Sequence, residues 1–217
     1  MECSDLSLSN ARIGLFGGTF DPPHNGHVAL ARAGLEVMGL DEVWVIPAEP
    51  VHRQLSGCAD GVTRLGWLQT LFAGMSTVQV VDWEIGRGRA IAAVETLRDF
   101  RERNPDTVPW LMLGADAWAG LESWREYPAH RELCNVAVFA RTGMDASQLP
   151  QHDGWRQVDA GAWQDCEASG HWCYQQVSLP DISATALRHD AQLGRSLAGM
   201  VPEQVREQIE KSYRVVD

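Results

Sequence analysis

Short apolar runs rich in β-branched residues recur along the chain, each separated from the next by stretches in which apolar positions return every three or four residues. The runs are "RIGLF" (12–16), "EVWVIP" (42–47), "TVQVVDW" (77–83), "PWLMLG" (109–114), "NVAVFA" (135–140) and "WCYQQVSL" (172–179). Helical patterning occupies 26–38, 62–74, 90–103 and 116–133. Unbroken apolar strands alternating with amphipathic helices predict parallel βαβ units whose strands are buried on both faces. The expected fold is therefore α/β, an open and mostly parallel sheet with helices on both faces. Two further helical segments, 183–193 and 202–212, predict a small C-terminal helical cap over 182–217. Pro202 stands near the start of the second, where a missing N–H costs little. Residues 141–171 have no sustained period and read as a surface excursion, a variable loop or a lid.

Composition narrows this picture. A chain of 217 residues is long enough for one substantial core, so a single domain over 1–217 is expected. Hydrophobic residues make up 45%, yet no apolar run approaches the roughly 20 residues of a membrane span, so no membrane partner is expected. The first twelve residues lack the features of a signal peptide. Five scattered cysteines without a C-x-x-C pair favour reduced thiols over a disulfide framework, and a cytoplasmic location with them. A net charge of −11 argues against a nucleic-acid partner, because binding the phosphate backbone needs a basic footprint. It leaves room for a small anionic ligand held by a few arginines. The oligomeric state stays open, a homo-oligomer included.

Open α/β sheets bind ligands beyond the carboxyl ends of their strands, near a switch in strand order. The connection after the first strand, "GGTFDPPHNGH" (17–27), carries the densest chemistry there. Gly17 and Gly18 allow backbone amides to approach an anion at a helix N-terminus. His24 and His27 are three apart at the start of a helix, so their side chains share one face. Phosphate recognition is the preferred role. A metal would need a third ligand, and Asp21 alone stands nearby. A helix N-terminus disfavours an imidazolium whereas bound phosphate favours one, so these histidines should gain protons as an anionic ligand arrives.

"GGTFDPPHNGH" resembles the nucleotidyltransferase signature containing H-x-G-H, and "ISATALR" (182–188) resembles that superfamily's second signature, I-S-[SA]-T-x-x-R. Within the superfamily, nearly the whole chain is similar to the bacterial nicotinate-nucleotide adenylyltransferases. "VIPAEPVHR" (45–53), "GADAWAGLESW" (114–124) and "VFARTG" (138–143) match further family segments. The resemblance implies a Rossmann-like nucleotidyltransferase domain that transfers the adenylyl group of ATP to nicotinate mononucleotide, with Mg²⁺ accompanying ATP. It implies that His24, His27 and Arg188 stabilise the transition state on the ATP phosphates. Gly17, Gly18, Thr19 and Phe20 would contact the phosphates and the acceptor, and Ser183 would hold the β and γ phosphates with Arg188. Ile182 and Thr185 would lie near the adenosine and the helix start, and Gly114 and Asp116 would meet the ribose. His52 and Arg53 would approach a phosphate, and Trp124 would stack on the nicotinate ring.

One segment departs from the family. Where its members read E-[IL]-x-R-x-G-x-S-Y-T-x-D-T-[LV], this chain reads "EIGRGRAIAAVETL" (84–97), with Ile91, Ala92 and Ala93 in place of Ser-Tyr-Thr and Glu95 in place of Asp. Backbone donors around Ala92 and Ala93 can still shape an acceptor pocket, but the hydroxyls are gone. A lost hydroxyl partner can remove on the order of 1.5–3 kcal/mol. The alternatives are a different phosphorylated acceptor such as nicotinamide mononucleotide, or a nucleotide-binding regulator without turnover. Arg64, at the head of the second predicted helix, is a further phosphate candidate.

Overall fold

The computed structural model describes residues 11–49, 58–141, 143–159 and 161–214. The apolar runs form one parallel sheet in the order β3-β2-β1-β4-β5-β7-β6. Its strands are β1 (Ile13–Gly18), β2 (Glu42–Pro47), β3 (Val78–Val80), β4 (Trp110–Gly114), β5 (Asn135–Arg141), β6 (Arg156–Val158) and β7 (His171–Val177). The helices are α1 (Asn25–Glu36), α2 (Gly61–Phe72), α3 (Ala93–Arg103), α4 (Ala115–Ala119), α5 (Tyr127–Leu133), α6 (Ala184–Gln192) and α7 (Glu203–Tyr213).

Side chains that alternate along each strand supply two cores. Phe16, Trp110, Met112, Ala137 and Phe139 point to the face covered by α1 and α2. Ile13, Leu15, Leu111, Leu113, Val136 and Val138 point to the opposite face, with Leu97 and Phe100 of α3 and Trp118 of α4. Gly34 lets α1 lie close to the sheet, since a Cβ there would come within 2.7 Å of Met112 Cε. The C-terminal cap has its own cluster, in which Leu187, Ala191, Val205, Ile209 and Tyr213 pack on Trp67 of α2.

The strand order reverses between β1 and β4: the chain moves outward through β2 and β3, then returns to the other side of β1. Helices on opposite faces flank this point, and the crevice it creates lies at the carboxyl ends of the strands.

Two expectations need correction. The pattern over 116–133 suggests one helix, but the chain forms α4, a 3-10 turn at Leu121–Ser123 and then α5. Trp124 is extended and Glu126 left-handed at φ 55°. Pro128 explains the break, because proline fits a helix's first turn and not its interior. The stretch 141–171 is also more than a surface excursion. It contributes β6, paired with β7 in parallel, and buries Leu149, Trp155 and Trp163. Its three-residue strand is too short to show a period, and its core aromatics are irregularly spaced.

Candidate active site

At the end of β1, the chain turns sharply over residues 17–24. Gly18 accepts from the Ala48 N–H at 2.8 Å, tying the turn to the end of β2. A Cβ at Gly17 would meet no protein atom within 4 Å, so the strand end offers open backbone toward the crevice. Phe20 takes the left-handed region at φ 50°, and its buried ring lies under the turn, edge-on to Phe16 at 5.2 Å and to His27 at 4.8 Å. Phe20 thus supports His27 from below.

His24 is the N-cap of α1 and His27 its third residue. Their rings stack at 3.7 Å with 23° between planes. The His24 backbone N–H donates to His27 Nδ1 at 3.1 Å, which leaves the His27 proton on Nε2, free to donate to a ligand. His24 Nδ1 is buried without a protein partner. Gly26 makes this arrangement possible, since a Cβ there would press on the His24 ring at 3.0 Å. Burial lowers the His24 pKa to about 4. Burial, reinforced by the neighbouring His24, holds His27 well below its ordinary value.

The pair is therefore neutral near neutral pH, and the sign of its linkage follows. The unfolded chain titrates its histidines near about 6.5. Between that value and about 4 it binds more protons than the folded state, so stability falls as pH is lowered through this window. A bound polyphosphate has the opposite influence, since its charge favours the imidazolium. ATP titrations at about pH 6.5, run by calorimetry in buffers of different ionisation heat, should show net proton uptake. Heats independent of buffer would contradict it.

Arg188 comes to the same turn from α6. It donates to the Asp21 carbonyl, lies 3.8 Å from the Asp21 carboxylate, and donates to Thr185 Oγ1 at 3.1 Å. The two sequence signatures are thereby joined. Ser183 caps α6 by accepting from the Ala186 N–H at 3.4 Å; it and Thr185 are exposed, and Ile182 packs against the cap. Asp21 is buried and serves as the hub, accepting from the Tyr213 hydroxyl and from the Ala59 N–H at 3.1 Å. Arg64 is also buried and donates to the carbonyls of Thr19 and Ala59. It braces the turn from behind, which corrects its reading as a phosphate ligand.

Gly114 ends β4 and caps α4, with Asp116 exposed in the first turn. Trp124 is half-buried and meets His130 edge-on at 5.8 Å. Ala92 is the N-cap of α3 and Ala93 its first residue. Glu95 connects this helix start to the Trp124 segment, accepting from the Ala92 N–H at 3.2 Å and from Arg125 at 3.4 Å. The structure thus brings His24, His27, Thr19, Thr185 and Arg188 to one wall of the crevice. It brings Ala92 and Ala93 close to the Trp124 segment at the start of α3. His52 and Arg53 lie outside the described residues. Sequence reasoning missed Tyr213 and the anchoring role of Asp21; no local motif marks Tyr213, whose partner stands 192 residues away.

A glycine-lined turn, a neutral histidine pair at a helix start and an arginine delivered by a second helix define a nucleotidyltransferase-type α/β site, and the cytidylyltransferase-like family matches residues 15–190. A probable nicotinate-nucleotide adenylyltransferase of Chromobacterium violaceum is 37% identical over 82% of this chain and 86% of its own length. One from Thermotoga maritima is 33% identical over 98% of this chain and 97% of its own length. The fold is shared with the nicotinic acid mononucleotide adenylyltransferase of Plasmodium falciparum solved with NaAD, at TM-score 0.64 and 15% identity over 93% of this chain and 95% of that one. The chain belongs to the cytidylyltransferase-like family and, within it, to the nicotinate-nucleotide adenylyltransferases.

Proposed function

We propose that the protein transfers the adenylyl group of ATP to nicotinate mononucleotide, forming nicotinate adenine dinucleotide and pyrophosphate in the cytoplasm. The observation that carries this reading is the stacked His24–His27 pair, neutral at rest and with an unpartnered Nδ1 buried at the mouth of the crevice. Such a pair gains charge and hydrogen bonds as negative charge gathers on the transferring phosphoryl group.

The acceptor's phosphate oxygen attacks the α-phosphorus of ATP, and the bond from that phosphorus to the bridging oxygen breaks. Pyrophosphate leaves with the electron pair. The acceptor phosphate is already ionised near neutral pH, so no protein nucleophile or base is required. The protein supplies alignment and charge stabilisation. His27 Nε2 donates to phosphate oxygens, the free N–H groups of Arg188 hold the departing phosphates, and the Gly17–Gly18 backbone permits close approach. Mg²⁺ enters with ATP as part of the substrate.

Purified protein given ATP, Mg²⁺ and nicotinate mononucleotide should release pyrophosphate and form the dinucleotide in equal amounts. Absence of both at every acceptor concentration would overturn the proposal. Nicotinamide mononucleotide in parallel tests the alternative acceptor that the loss of hydroxyls at 91–93 raises, and weak turnover with it is expected.

A further inference from the structure

The helix that follows Gly114 and carries Asp116 is too short to hold its own position. α4 has five residues, far below the roughly 12–15 at which an isolated helix is even marginal in water. Its placement beyond the carboxyl end of β4 comes from outside contacts, and the stretch 150–155 supplies them. The Trp118 indole N–H donates to the Pro150 carbonyl at 3.0 Å, and His152 Nε2–H donates to the Trp118 carbonyl at 2.7 Å. His152 thus caps the carboxyl end of α4 from 34 residues away, satisfying one of the carbonyls that a helix leaves without an internal partner. Its Nδ1 lies 3.0 Å from Glu122 Oε1, which ties the same ring to the 3-10 turn after α4.

Packing alone does not account for this histidine. Its side chain is 3% exposed and lies edge-on to Trp118 at 4.5 Å and to Tyr127 at 5.9 Å. Trp118 in turn stacks on Trp172 at 4.8 Å and meets Trp155 edge-on at 5.7 Å. A polar ring buried among tryptophans costs free energy unless its nitrogens are bonded, whereas an apolar side chain would fill the space without that cost. What the ring adds is direction, because hydrogen bonds fix an orientation that apolar contact leaves loose. Asp116 stands two residues before Trp118, exposed in the first turn, and its carbonyl accepts from the Gly120 N–H at 3.1 Å. Movement at Trp118 is therefore movement of Asp116 and of the Gly114 cap. The histidine pair and Arg188 are held by other elements, α1, α6 and the turn at Asp21.

We infer that His152 is a positioning residue for the nucleoside half of ATP, locking α4 so that Gly114 and Asp116 stand ready at the end of β4. This rests on the proposed adenylyl transfer, in which those two residues meet the ribose. ATP and inorganic tripolyphosphate share a triphosphate, so comparing them isolates the nucleoside.

The test measures dissociation constants for both by calorimetry, and kcat and KM for ATP by pyrophosphate release, in wild type, His152→Asn, His152→Gln and Glu122→Ala. An Asn amide stands near the Nδ1 position and falls short of the Trp118 carbonyl, whereas a Gln amide extends to the Nε2 position and can donate to it. His152→Asn should raise the dissociation constant and KM for ATP about tenfold, the effect of one lost buried hydrogen bond. Its tripolyphosphate binding and its kcat should stay within about twofold, since the phosphate wall is held elsewhere. His152→Gln should bring ATP binding back to within about threefold of wild type. Glu122→Ala removes only the outer bond, at a side chain 61% exposed, so it keeps the inference testable even where His152→Asn fails to fold. It should weaken ATP binding about threefold and leave tripolyphosphate unaffected. Losses that fall equally on ATP and tripolyphosphate, or unchanged ATP binding in His152→Asn and Glu122→Ala, would overturn the inference while leaving adenylyl transfer intact. A wild type that binds no ATP and releases no pyrophosphate would overturn both.

Discussion

Replacing His27 by alanine is expected to lower kcat by about 10²–10³-fold, the usual cost of removing one preorganised donor at a transition state. KM for the acceptor should move far less, because the lost interaction is one that strengthens only as charge develops. The structure gives the reason for this split. His27 is neutral at rest, fixed by the His24 N–H at its Nδ1 and by the Phe20 ring on its side. Its Nε2 proton is therefore aimed before the ligand arrives. His27→Asn is the sharper companion, since an amide oxygen can occupy the Nδ1 position and keep the helix cap while no imidazolium can form. Its kcat should also fall, with a melting temperature near that of wild type. A variant that binds the acceptor more weakly at unchanged kcat would contradict the transition-state role.

Much of this site was legible because its groups are local. The glycines and the histidine pair fall within eleven residues at the end of the first strand, and helical spacing alone places His24 and His27 on one face. The sheet was legible for a similar reason, since strands buried on both faces remain apolar throughout. Legibility fails where the partner is distant or the period short. Asp21 looks like a turn residue, and nothing beside it announces that it accepts from Tyr213 at the other end of the chain. Arg64 reads as a surface cation at a helix start, yet burial and two carbonyl partners make it a brace. Over 116–133 the apolar positions fit a helix, but Pro128 and the left-handed Glu126 divide it, leaving Trp124 extended and Arg125 in a turn.

Arg188→Lys is expected to raise KM for ATP by about 10- to 100-fold, because lysine keeps the charge but loses the planar fork that meets the phosphates and Asp21 at once. The guanidinium is oriented by the Asp21 carbonyl and Thr185 Oγ1, so its aim depends on where Asp21 stands. Asp21 is in turn held by Tyr213, whose hydroxyl burial first and Asp21 second drive well above its ordinary pKa, so it remains a donor at all working pH. Tyr213→Phe deletes that donor and should cost about 1.5–3 kcal/mol of stability, the range for a hydrogen bond to a charged group, read from the urea midpoint. The same variant should weaken ATP binding although residue 213 is placed to touch Asp21 and not the ligand. Combining it with Arg188→Lys should weaken ATP binding by less than the product of the separate effects, since both act through one guanidinium. Fully multiplicative losses would mean that the C-terminal cap stabilises the fold without positioning Arg188.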